Sequence, residues 1–206
     1  MLSHRSDDGF TLIELLLAIA ILGVITMPLA DVIIGATRTT TTTSDRFVLS
    51  HDAQISAAFF AQDVAMTGLR DYSGAVANGT VPFSSSIQLG AAYDTGGQVC
   101  GTAATPVSVV RLLSDDWDTS TPAATRRTAI IAYYPAGTEL HRLRCLGSVT
   151  PVSDTIVAHN VKPGTLVATC SCSDPAVPLW VKLTFTAVAD HADPYPITLF
   201  GQQRQT

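Results

Sequence analysis

The sequence predicts an α+β chain in which a long N-terminal helix, membrane-apolar in its first half and amphipathic in its second, packs on an antiparallel β-sheet. Three observations predict it. Residues 10–30 form an apolar run with one charge, residues 45–69 repeat apolar side chains at helical spacing, and beyond residue 72 short apolar runs alternate with Ser, Thr, Gly, Ala and Pro. At 206 residues the chain can bury a sizeable core. Charged residues make up 14%, against roughly 25% in ordinary soluble domains, which argues against a disordered acidic tail or a coiled-coil rod. The net charge of −5 and pI near 5.3 have the wrong sign for a protein that mainly grips phosphates, so nucleic acid is not expected as the principal ligand.

The apolar run reads FTLIELLLAIAILGVITMPLA, with Glu14 its single charge. Twenty-one helical residues rise about 31 Å, the thickness of a bilayer's hydrocarbon core, so a single-pass span over residues 10–36 is expected. A cleaved secretory signal would carry a shorter apolar stretch closed by small residues; here the polar leader, residues 1–9, ends in Gly9 ahead of the run. A carboxylate deep in a span costs about 2.5 to 3.5 kcal/mol on insertion scales, so one retained there calls for a partner. Scission after Gly9 would create an amine at Phe10, one helical turn from Glu14.

Gly9-Phe10-Thr11-Leu12-Ile13-Glu14-Leu15-Leu16 resembles the processing site of type IV prepilins and of the pseudopilins of type II secretion. The resemblance implies a pilin-like fold, cleavage between Gly9 and Phe10 by a membrane prepilin peptidase, N-methylation of Phe10, and a role for Glu14 in neutralising the N-terminal amine of a neighbouring subunit during assembly. It implies other pilin or pseudopilin subunits as partners through the N-terminal helix, and a location in the inner or cytoplasmic membrane with the C-terminal domain extracytoplasmic, reaching the cell surface or pilus after assembly. The pattern of the remainder is most similar to the larger minor pseudopilins, the J-type or PilW-like group. The chain departs from the family in its leader, where Arg5 faces Asp7 and Asp8, and in Pro28, three residues earlier than the helix-bending proline of many major pilins. A surface binding module held by a non-polymerising single-pass anchor is the alternative.

After the span, residues 37–71 are expected to form a neck and an amphipathic helix. Five consecutive threonines, residues 39–43, suit a strand or a strained helix better than a free-standing one. From Asp45 to Leu69 the reading is helical, with Val48, Ile55, Phe59 and Met66 on one face, a second stripe of Leu49, Ala53, Phe60 and Val64, and Gly68 as a stop. Such a stripe must be buried against another layer, most economically a sheet. Residues 72–206 are expected to form the β-rich globular domain, with strands at 86–89, 107–113, 128–134, 139–146, 155–160, 165–172, 179–188 and 197–201. Pro135-Ala136-Gly137-Thr138 reads as a hairpin connection.

The four cysteines, Cys100, Cys145, Cys170 and Cys172, lie in the part expected outside the cytoplasm, where disulfides persist. Two positions apart on one strand face, Cys170 and Cys172 are awkwardly separated for direct bonding, which demotes that pairing without excluding it, and Cys100–Cys145 is the favoured pair. Zinc is disfavoured because none of His141, His159 or His191 stands at ligand spacing from the C-x-C. Asp190-His191-Ala192-Asp193 and Asp115-Asp116-Trp117-Asp118 could offer oxygens to calcium but lack an ordered ligand loop and read as solvated turns. Glu139 and His141 read as a surface pair. With no G-x-S-x-G, P-loop or G-x-G-x-x-G, no enzyme and no cofactor is expected.

Overall fold

The computed structural model describes residues 11–73, 81–120, 122–172 and 180–204. One helix, α1, runs Leu12–Met66. The chain divides into two compact units, 1–44 and 45–206, and α1 contributes to both.

In the first unit α1 starts at a capping arrangement. The Glu14 backbone amide donates to Thr11 Oγ1 at 3.4 Å, and that hydroxyl donates back to Glu14 Oε2 at 3.5 Å, so an orphan donor of the first turn is satisfied by a T-x-x-E pair. The helix continues through Pro28, whose missing amide removes one bond without ending it. The threonine segment, expected as a strained neck, is regular helix. Thr37, Thr39, Thr40 and Thr42 each donate their hydroxyls to the carbonyl four residues back, at 2.9–3.0 Å, and Thr41 donates to the Arg38 carbonyl. The β-branched penalty is a few tenths of a kcal/mol per residue. Hydroxyls that bond back onto the helix also leave no polar group unsatisfied.

In the second unit the helix lies against two antiparallel sheets. A short pair, β1 (Leu69–Arg70) and β2 (Phe83–Ser84), follows it. Then come β3 (Ile87–Ala91), β4 (Ser108–Asp118), β5 (Thr125–Ala136), β6 (Glu139–Leu146) and β7 (Ser153–Ala158), which form a five-stranded meander in that order. The last three strands, β8 (Val167–Cys170), β9 (Trp180–Ala189) and β10 (Ala192–Gln202), form a three-stranded sheet with β9 central. All eight sequence-expected strands are present, and this long helix with antiparallel sheets is the α+β arrangement of a pilin-like fold. The β5–β6 hairpin closes over Gly137-Thr138, with Gly137 at φ 61°, the positive angle that the first central position of such a loop requires. The prolines of β10, Pro194 and Pro196, are tolerated because that strand is an edge.

The main core gathers Leu49, Phe60 and Val64 of α1 with Val110, Leu112, Ile131, Tyr133 and Leu140 of the larger sheet, and Val181, Leu183, Phe185, Ile197 and Leu199 of the smaller. The buried helix stripe is therefore the second of the two expected. Val48, Phe59 and Met66 of the first are exposed, and the buried face is completed by Asp52, Ser56 and Asp63, which an apolar count does not select. The opposite face of the larger sheet carries a smaller core of Leu113, Ile130, Ala132, Tyr134 and Leu143 with Cys100 and Cys145. Strand β5 feeds both cores alternately, which is why residues 129–134 read as a continuous apolar run.

The Cys100–Cys145 disulfide, with Cα atoms 5.4 Å apart, joins the chain between β3 and β4 to this second face. Beneath the same segment Arg111, fully buried, donates to the carbonyls of Ala92, Thr95 and Gln98. Burial presses its pKa below the usual guanidinium value, with Asp94 opposing. Cys170 and Cys172 are also bonded to each other, the pairing that their spacing on a strand demotes without excluding. Strand β8 ends at Cys170, and leaving the extended conformation brings the two Cα atoms to 5.3 Å, inside bonding range.

Candidate functional site

Gly9 and Phe10, the residues expected to flank the scission point, lie outside the described residues. Glu14 is described. It sits in the first turn of α1, exposed, among side chains as open as Leu12 at 77% and Ile13 at 72%. Among the described residues its carboxylate is held by the Thr11 hydroxyl. Thr11 is the participant that sequence reasoning passed over, although T-x-x-E ahead of an apolar run is a legible capping signal.

Around this carboxylate the surface is hydrocarbon. Among the described residues α1 is long and apolar enough to cross a bilayer, with a mean hydropathy of 2.5 over its best window and none of that window buried within the protein. A negative group on such a surface is expensive in lipid unless a cation or a proton meets it. The helix N-terminus adds partial positive charge in the same place, which favours an acid there.

The remaining titratable groups hold the second unit together. Three acids of α1, at spacings of seven and eleven residues, meet the sheets. The Asp63 carboxylate accepts two bonds from Arg142, through Nε and Nη2, and one from the Tyr133 hydroxyl, each at 2.6 Å. Asp52 Oδ2 accepts from the backbone amide of His159 at 2.7 Å and lies 3.2 Å from its Nδ1. Asp45 Oδ2 does the same with His191, at 3.0 and 3.3 Å. Burial and the adjacent Asp63 carboxylate push the Tyr133 pKa well above its ordinary value, and the hydrogen bond to Asp63 raises that of Arg142.

Four of the acids considered for calcium stand in ion pairs. Asp115 pairs with Arg126, Asp116 and Asp118 pair with Arg127, Asp193 lies 3.6 Å from Arg46, and the His191 that follows Asp190 is held by Asp45. Glu139 and His141 do form a pair at 3.3 Å, extended by Asp154 on the other ring nitrogen and by Tyr134, which stacks on the ring and donates to Asp154. Two open hollows border α1 in this unit. One, of about 390 Å³, is lined by Arg46, Leu49, Ser50 and residues 193–195. The other, of about 410 Å³, is lined by Asp45, Thr138, Asn160 and residues 188–191.

Residues 4–30 match the family model described as the prokaryotic N-terminal methylation motif. The N-terminal segment is type IV pilin-like. Among curated proteins and among solved structures, none matches the chain. The pilin-like motif covers the apolar half of α1, and together they fit a single-pass protein of the inner membrane that a prepilin peptidase processes. Glu14 and the Gly9–Phe10 junction both fall inside the matched segment.

Proposed function

We propose that the chain is a minor pilin or pseudopilin of the J-type or PilW-like group, a structural subunit without catalytic activity that assembles into a type IV pilus or type II secretion pseudopilus. The observation that carries this reading is Glu14, the one charge of residues 10–30, exposed on the apolar helix four positions after Phe10 in sequence. Cleavage at that junction would leave Phe10 with a methylated amine, and the carboxylate of a neighbouring subunit would neutralise it. In hydrocarbon the attraction between two such groups is far stronger than in water. The pairing therefore favours a fixed axial stagger between helices, and the extracytoplasmic β-domain would be carried on the outside of the fibre.

Co-expression with a prepilin peptidase, followed by mass spectrometry of the N-terminus, tests the first step. The expected product begins at a monomethylated Phe10; a membrane-extracted chain that still begins at Met1 overturns the proposal. Glu14→Leu tests the second. Insertion is expected to proceed, while crosslinking between Cys-substituted helices of neighbouring subunits falls by at least tenfold. Undiminished crosslinks, or none in the unsubstituted protein, would favour a binding module on a non-polymerising anchor.

A further inference from the structure

The two disulfides differ in exposure and in the length of chain they close. Cys100–Cys145 is enclosed, with its residues 1% and 0% exposed, and it spans 45 positions of chain. Cys170–Cys172 spans two positions at the end of an edge strand, with Cys172 exposed and Cys170 half-buried against the main core. The residue between them is fixed: the Ser171 amide donates to the Trp180 carbonyl at 3.1 Å, and the Trp180 amide donates to Ser171 Oγ at 3.0 Å. The backbone that presents the pair is thus held to β9 whether or not the sulfurs are bonded. A bridge closing so small a loop restricts the unfolded chain little, so it contributes little to the fold and loses little when opened.

We propose that Cys170–Cys172 is a surface thiol–disulfide exchange site whose substrate is an accessible thiolate. The incoming thiolate attacks Cys172 Sγ, the exposed sulfur, and forms a mixed disulfide. The electron pair of the broken S–S bond leaves on Cys170 Sγ, which takes a proton from water. With a monothiol, Cys170 two residues away re-attacks and expels it. With a dithiol, the second thiolate attacks its own mixed-disulfide sulfur and releases Cys172. The dithiol is then oxidised by two electrons and the Cys170–Cys172 pair is reduced by two. This role is independent of filament assembly.

The test uses the full chain in detergent, equilibrated in glutathione buffers of graded ratio, alkylated and mapped by peptide mass. In the chain-entropy account the loop lengths alone separate the two equilibria by roughly 50- to 100-fold. That is about 50–60 mV for a two-electron couple, with Cys170–Cys172 the more easily reduced. Reduction of both pairs at one midpoint, or of Cys100–Cys145 first, overturns the proposal. In Cys170→Ser the folded protein is expected to take one glutathionyl group on Cys172 from oxidised glutathione, faster than Cys172→Ser does on Cys170. No adduct on Cys172 in a Cys170→Ser protein of unchanged circular dichroism counts against the site. A cysteine-bearing unstructured peptide as the second probe separates the sources: exchange faster than with glutathione assigns a protein thiol, slower exchange a small one, and exchange with neither overturns the proposal.

Discussion

Asp63 is 2% exposed, a burial that a carboxyl group tolerates here because all its contacts converge. Two guanidinium donors and a phenol saturate the carboxylate, and they come from neighbouring strands β5 and β6, where Tyr133 and Arg142 are directly opposite each other. Removing one member of a buried pair leaves the other uncompensated, so Asp63→Ala is expected to cost about 3–5 kcal/mol, measured by urea denaturation. The phenols of Tyr133 and Tyr134 add a pH dependence. Burial, followed by the carboxylate each one contacts, raises both pKa values above the ordinary 10. The unfolded chain therefore ionises first as pH rises. Their contribution is fully present below about pH 10 and is lost progressively above it. Denaturation midpoints should hold between about pH 8 and 10 and fall from there to about pH 12, less steeply in Tyr133→Phe. None of this was legible in the sequence. The partners of Asp63 and Asp52 stand 79 and 107 residues away, so a local count of apolar spacing names Leu49, Phe60 and Val64 as one of two stripes but not the acids that share their face.

Elements whose pattern is local were read well. The alternation through β9 and the turn residues of the β5–β6 hairpin placed those strands within three residues, because both signals come from the backbone's own period and from a turn that demands Gly137. Where a side chain changes the local rule, the reading missed. The threonines that looked hostile to a helix bond back onto it, and Cys170 and Cys172 approach because a strand ends between them. One close approach between elements is also invisible to periodicity. A Cβ added to Gly201 of β10 would meet Cβ of Val64 at 2.5 Å, so helix and edge strand approach closely only because that residue is glycine. Gly201→Ala should destabilise by about 1–3 kcal/mol through overpacking. Trimming the opposing side chain in Gly201→Ala/Val64→Ala should recover part of that cost relative to the sum of the single variants. Additive penalties in the double-mutant cycle would show that the two residues do not share the space.

At the scale of the molecule the boundary between the two units falls at Ser44 and Asp45, inside an unbroken helix. The acids that tie α1 to the sheets all lie on the C-terminal side of it. So does every helix residue of the main core, beginning at Leu49. The first unit exposes a long series of large apolar side chains, a surface suited to lipid or to other helices. The second has its own core and its own clamps, so a fragment of residues 45–206 should fold without detergent and denature in one cooperative transition. Moving the start to residue 53 removes Leu49 and Asp52. The first takes away buried side-chain volume worth about 2–5 kcal/mol. The second takes away the acceptor of the His159 amide, worth about 1.5–3 kcal/mol as a bond to a charged group. Together these are comparable to the whole stability of an ordinary domain. The shorter fragment is therefore expected to lose its cooperative transition, whereas one starting at residue 46, which sacrifices only the exposed Asp45–His191 contact, should denature within about 1 kcal/mol of the first. Equal stability of all three fragments would mean that the sheets close on themselves and that the helix is bound to them only weakly.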